Sequence, residues 1–236
     1  MFSASVMFFT MACLVASSLG SPYQRREVPQ EHAHQKFLTN VTALLQSGNA
    51  AENNPLGILD AVFGLLGNAA GAQGAGKVTD VTCLQQATAD QAFTNAKKTG
   101  DVVGMTAALA YRTLERNTGK VGLKSDLCTS IKAVNPEIAV LTQHQDPASG
   151  GAKEGNKAIV LELARQIASV NGDPLVALQT GTFAPGDPND PTGKGNSCDD
   201  QPDPIGCIET KNLLVPDATE AEILAAVAGN GGAASG

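Results

Sequence analysis

The sequence predicts an all-α fold: a single multi-helix domain with a disulfide-clipped acidic loop near the C-terminus. Three observations predict it. Apolar residues recur at three- and four-residue spacing, most clearly at Ile159, Leu163, Ile167 and Val170, which places them on one face of a helix. No stretch alternates apolar and polar residues over the length of a strand. Asn or Asp followed by Pro recurs at Asn54, Asn135 and Asp173, pairing a capping side chain with proline at the first helical position.

Taken in order, residues 1–20 read as a secretory signal. They hold an apolar stretch from Val6 to Ala16 and small residues, Ser18 and Gly20, where a signal peptidase cuts. Residues 21–36 form a flexible N-terminal segment with a dibasic pair, Arg25-Arg26, where a propeptide would end. The helical domain spans 37–182. Its first helix reaches from Gln30 to Leu45 with Phe37, Val41 and Leu45 on one face, and its second starts at Asn54-Pro55 and runs to Leu66. A flexible Gly71–Gly76 linker follows. Leu84–Lys98 and Val102–Arg116 form an antiparallel pair across Thr99-Gly100-Asp101, with Val103, Ala107, Ala110 and Leu114 facing inward. A segment from Leu123 to Ala133 carries Cys128, and a short helix begins at Asn135-Pro136. The Ile159–Val170 helix stops at Gly172, and Asp173-Pro174 starts another through Leu178. Residues 183–216 are an acidic Pro/Gly-rich loop. The last helix and a small-residue tail occupy 217–236, with Thr219 and Glu222 spaced as a capping box.

Charge is segregated. The 236 residues carry a net charge of -7, and the segment 186–222 alone carries -7 while the remainder is neutral. No basic cluster exists to neutralise phosphates, so nucleic acid is not an expected partner. Beyond the first 20 residues no run is long and apolar enough for a bilayer, so no membrane is expected either. Aromatics make up only 4% of the chain, which leaves little for stacking on sugars or bases.

Once the signal and its Cys13 are removed, Cys83, Cys128, Cys198 and Cys207 remain. An even number in an exported chain predicts two disulfides, and locality favours Cys83 with Cys128 and Cys198 with Cys207. A four-thiolate zinc site lacks the CxxC spacing it needs. Asn40 opens an Asn-Val-Thr sequon and is the expected glycosylation site.

The residues offer little for catalysis. His32 and His34 stand two apart and His144 stands alone. There is no GxSxG or HExxH, so no catalytic residue is assigned. The acidic loop suggests calcium, but a calcium-loop register starting at Asp187 puts Pro191 at a ligand position and one starting at Asp190 puts Lys194 there. The 71–77 stretch has GxxxxGK spacing, yet Val78 stands where a magnesium ligand belongs. No metal and no cofactor are therefore expected.

The strings FAPGDPNDPTGKGNSCDD at 183–200, Gly206-Cys207-Ile208 and NLLVPDAT at 212–219, together with the 135–181 segment upstream, resemble the C-terminal part of a largely uncharacterised family of small secreted proteins of filamentous fungi. The resemblance implies an extracellular fungal protein, at the cell wall or in the medium. With the charge pattern it gives the functional expectation: a secreted, non-enzymatic helical protein acting by binding. A cell-wall or other extracellular partner would meet the loop carboxylates Asp187, Asp190, Asp199, Asp200 and Asp203. An effector or elicitor acting on a host is the alternative, and an unrecognised hydrolase a third reading.

Overall fold

The computed structural model describes residues 27–230. The signal sequence, the Arg25-Arg26 pair and residues 231–236 lie outside the described residues. Helices carry the chain, in the order α1 (Gln35–Gln46), α2 (Ala50–Asn53), α3 (Asn68–Gly71), α4 (Leu84–Thr99), α5 (Val102–Thr113), α6 (Pro136–Ala139), α7 (Ala152–Ser169), α8 (Cys207–Thr210) and α9 (Glu220–Asn230). Short 3-10 turns lie between them, at Ala61–Gly64, Ala72–Gly74, Val81–Cys83 and Pro174–Thr180. Among the described residues no strand forms. A single bridge joins Thr182 to Val215.

The α4–α5 pair is the centre of the fold. Gly100 adopts φ +69° and closes α4, and the Asp101 carboxylate accepts from Gly104 N at 2.9 Å to open α5. Alanines let the two helices approach closely: Ala89, Ala92 and Ala96 face a partner that buries Ala107, Ala108 and Ala110. Larger side chains, Phe93, Leu109 and Tyr111, fill the space around them. Each such residue contributes about 1.5–3 kcal/mol by leaving water. Helix α1 packs across both members of the pair, α7 packs on α5, and α9 packs on α7. The expected capping box holds α9, with Thr219 N donating to Glu222 Oε2 at 2.9 Å and Glu222 N to Thr219 Oγ1 at 3.4 Å.

Several sequence expectations need correction. No helix runs from Asn54 to Leu66. Gly57 takes φ +67°, and the Asn54 side chain grips Ile58 through both its backbone groups, accepting from N at 2.9 Å and donating to O at 2.7 Å. That side-chain turn competes with helix formation and wins. The expected Gly71–Gly76 linker is instead packed structure. Gly71 ends α3 and Gly74 lies beneath the Phe63 ring, where an added Cβ would stand 2.1 Å from ring carbons. Val103, assigned to the inner face of α5, is 71% exposed, because the turn of α5 that follows a cap at Asp101 presents it outward. Residues 27–36, grouped by sequence with a flexible segment, are held in place. Val28, Gln30, Ala33 and His34 are buried, and Val28 N donates to Thr118 O at 2.9 Å.

Candidate functional site

Both expected disulfides form, Cys83–Cys128 and Cys198–Cys207. The second has its own small core, in which Cys198 and Cys207 pack with Ala33, Phe183 and Ile208. The first ties the irregular segment carrying Cys128 to the start of α4.

The acidic loop uses its carboxylates internally. Asp187 accepts from Asn189 N at 2.8 Å, Asp190 from Thr192 N and Gly195 N, each at 2.8 Å, and Asp203 from Ile205 N and Gly206 N at 3.1 and 3.0 Å. These turns hold Asp190 and Asp203 below the usual carboxylate range, through backbone hydrogen bonds and Thr192 for the first, and through Thr210 and then Gly206 for the second. Asp199 accepts from His32 N at 2.8 Å and lies 2.9 Å from its Nδ1, while Asp200 pairs with Lys211. The carboxylates therefore fold the loop, and Asp187 and Asp200 are its exposed members.

A groove opens elsewhere, where α1, the first turns of α5 and the 171–180 segment meet. Its cavity measures about 340 Å³, within the range of small-molecule sites. Phe37 from α1, Val102 and Ala107 from α5, and Val176 give it an apolar floor, with Val103 at its mouth. Gly172 lets the α7 exit lie against α5: a Cβ there would stand 2.5 Å from Thr106 Oγ1. The charged groups on the rim are engaged. Lys36 donates to Gln179 Oε1 at 2.7 Å and pairs with Glu209, and the Asp173 carboxylate accepts from Leu175 N at 2.9 Å. Asn40, the sequon residue, is exposed on the same rim and donates to Lys36 O at 2.9 Å.

The fold also gathers a polar cluster that sequence reasoning missed. Glu115 follows α5, with Gln30, His34, His144, Asp146 and Asp217 around it. Burial pushes the Glu115 carboxyl up to about 8, the Gln30 amide opposes the rise, and the charges of Asp146 and Asp217 add to it. Burial likewise raises Asp217 to about 6 and lifts Asp146, and it lowers His144 to about 4. His34 Nδ1 is buried without a partner. Cavities of about 20 and 10 Å³ flank Glu115, each with room for about one water. A raised carboxylic acid suits general-acid work, but a space of this size admits water and no substrate. The residues of this cluster come from four separate stretches of chain, around 30–34, 115, 144–146 and 217, so no spacing in the sequence pointed to it.

No helix among the described residues is long and apolar enough to cross a membrane. No family model, curated protein or solved structure matches the chain.

Proposed function

We propose that this is a secreted, non-enzymatic binding protein whose ligand is a small, neutral, largely apolar molecule seated in the groove between α1, α5 and the 171–180 segment. The observation that carries the reading is the groove itself: about 340 Å³ of space on an apolar floor, with Val103 left 71% exposed at its mouth. An exposed valine beside an open apolar cavity is surface that a ligand would remove from water. The rim supports a neutral ligand, because Lys36 and Asp173 already have partners. Two disulfides fit an oxidising compartment, which supports a role outside the cell; the setting at a fungal wall or in the medium rests on the sequence resemblance alone. The acidic loop supports this assignment indirectly, since most of its carboxylates are spent on its own turns.

Titration with N-phenyl-1-naphthylamine, a neutral apolar fluorophore, tests the reading. Saturable one-to-one enhancement that Val103→Glu weakens at least tenfold is expected. Equal binding by the variant, or none by the native chain, would refute it.

A further inference from the structure

His32 and Asp199 are separated by 167 residues, yet His32 Nδ1 lies 2.9 Å from Asp199 Oδ1. Glu31 joins them, so that one ligand atom from each of Glu31, His32 and Asp199 falls within 4.8 Å of the others. An imidazole nitrogen with two carboxylate oxygens is a donor set for a divalent transition metal, and a tetrahedral zinc ion holds its ligand atoms about 3.3 Å apart. An ion seated among the three would take the place of the present His32–Asp199 hydrogen bond. All three residues are half-buried, which leaves an approach for the ion and a place for a water as fourth ligand.

The surroundings are built to hold these side chains. Asn117 Nδ2 and Gln30 N donate to Glu31 Oε2 at 2.7 and 3.1 Å, and His32 N donates to Asp199 Oδ1 at 2.8 Å. Such outer contacts orient metal ligands. Asp199 is also fixed by its neighbour Cys198, whose disulfide to Cys207 sits in the small second core. A separate observation points to a missing partner. Asn117 is 5% exposed, its amide abuts Glu31, and its Oδ1 has no donor. A buried amide oxygen left alone costs about 1–3 kcal/mol, and this one belongs to the side chain that holds Glu31.

We propose that Glu31, His32 and Asp199 form a three-ligand site for a divalent transition-metal ion, zinc above others, which fastens the N-terminal segment to the acidic loop. A bound ion stabilises the folded state in proportion to its affinity and concentration. The site is separate from the apolar groove and does not depend on it.

The test uses the untagged chain with both disulfides formed. It is stripped with chelator and titrated with zinc by calorimetry, and then with cobalt as a visible-spectrum probe. One zinc per chain, a cobalt spectrum typical of a four-coordinate N/O site, and a raised unfolding temperature are expected. Asp199→Asn and Glu31→Gln keep shape and should each weaken zinc binding at least tenfold, with helical content unchanged by circular dichroism. His32→Gln should in addition abolish the cobalt spectrum. Absence of zinc binding by the native chain, equal binding by all three variants, or a preference for calcium that survives His32→Gln would overturn the proposal.

Discussion

His144 Nε2 lies 3.6 Å from Asp217 Oδ2, and neither atom has another partner. The imidazole is held from behind, because its Nδ1 meets the Thr113 carbonyl, which fixes the tautomer and aims a lone pair at the carboxyl group. A protonated Asp217 can donate to that lone pair, whereas an ionised one faces it unfavourably. Burial drives both shifts, His144 down to about 4 and Asp217 up to about 6, so that both groups are neutral between those values.

These shifts predict how stability depends on pH. His144 binds a proton more readily unfolded than folded, so its contribution to stability grows as pH rises from about 4 to 6.5; His34, lowered by burial to about 3, acts in the same direction. Asp217 and Glu115 bind a proton more readily folded, so their contributions fall over the same range. The opposing trends flatten the profile below pH 6.5. Above it Glu115 stands out, with its folded value near 8 against 4.5 unfolded. Stability should therefore fall between pH 6.5 and 8.5, with a slope of at most about 1.4 kcal/mol per pH unit. Urea unfolding across this range should show the fall in the native chain and a shallower one in Glu115→Gln, the remainder coming from His32, whose burial is outweighed by the Asp199 hydrogen bond so that its pKa stands above the ordinary 6.5. A native profile that rises would contradict the assignment.

Arg116 is a second buried centre. Its Nε donates to Gly64 O at 3.0 Å, Nη2 to Leu66 O and Asn68 Oδ1 at 3.2 and 2.9 Å, and Nη1 to Thr82 O at 3.3 Å. The guanidinium thus gathers the irregular 64–82 stretch, which has few helical hydrogen bonds of its own. Arg116→Ala should cost about 3 kcal/mol by stranding buried acceptors. Arg116→Lys should recover little of that, because an ammonium lacks the planar fork. Chemical denaturation of the two variants checks this, and full rescue by lysine would contradict it.

The two disulfides close loops of different length, 45 and 9 residues apart in sequence. On a chain-entropy basis, replacing Cys83 and Cys128 by serine should cost about 4 kcal/mol, and replacing Cys198 and Cys207 about 3 kcal/mol. The second change should also expose the small core around Phe183 and Ile208. Hydrogen exchange should then rise at residues 205–214 while α4 and α5 stay protected.

Glycine geometry gives a sharper local test. Gly206 adopts φ +119°, and a Cβ there would stand 2.1 Å from the Ala33 carbonyl oxygen. Gly206→Ala should destabilise the protein by more than the roughly 1 kcal/mol typical of a point mutation. Gly155→Ala, where a Cβ meets nothing within 4 Å, should be neutral or stabilising. Thermal unfolding of the pair separates the two cases.

The long helices were legible because their signals are local. The Gly100-Asp101 break and the Thr219–Glu222 box each lie within a few residues and formed as written, and the Ile159–Val170 spacing found its helix, although Val160 rather than Ile159 takes the buried face. Cysteine pairing was legible because short loops close at the lowest entropic cost. The 54–78 stretch was misread, since proline after Asn54 suggests a helix start while the decisive contacts are Asn54 with Ile58 and Gly74 with Phe63. The groove and the Glu115 cluster were invisible for a different reason. Lys36, Val103 and Asn171, or Gln30, Glu115 and Asp217, share no spacing and meet only when the helices pack. Segregated charge drew attention to the acidic loop, but a carboxylate that caps its own turn has the same sequence signature as one free to bind.

The central claim is that ligand binding takes place in the groove. Amide chemical shifts of the 15N-labelled chain, followed during titration with N-phenyl-1-naphthylamine, test it most directly. Shifts confined to Val102, Val103, Thr106, Gly172 and Val176 are predicted, with residues 187–207 unmoved. Shifts centred on the 187–207 loop, or none at saturating probe, would contradict it.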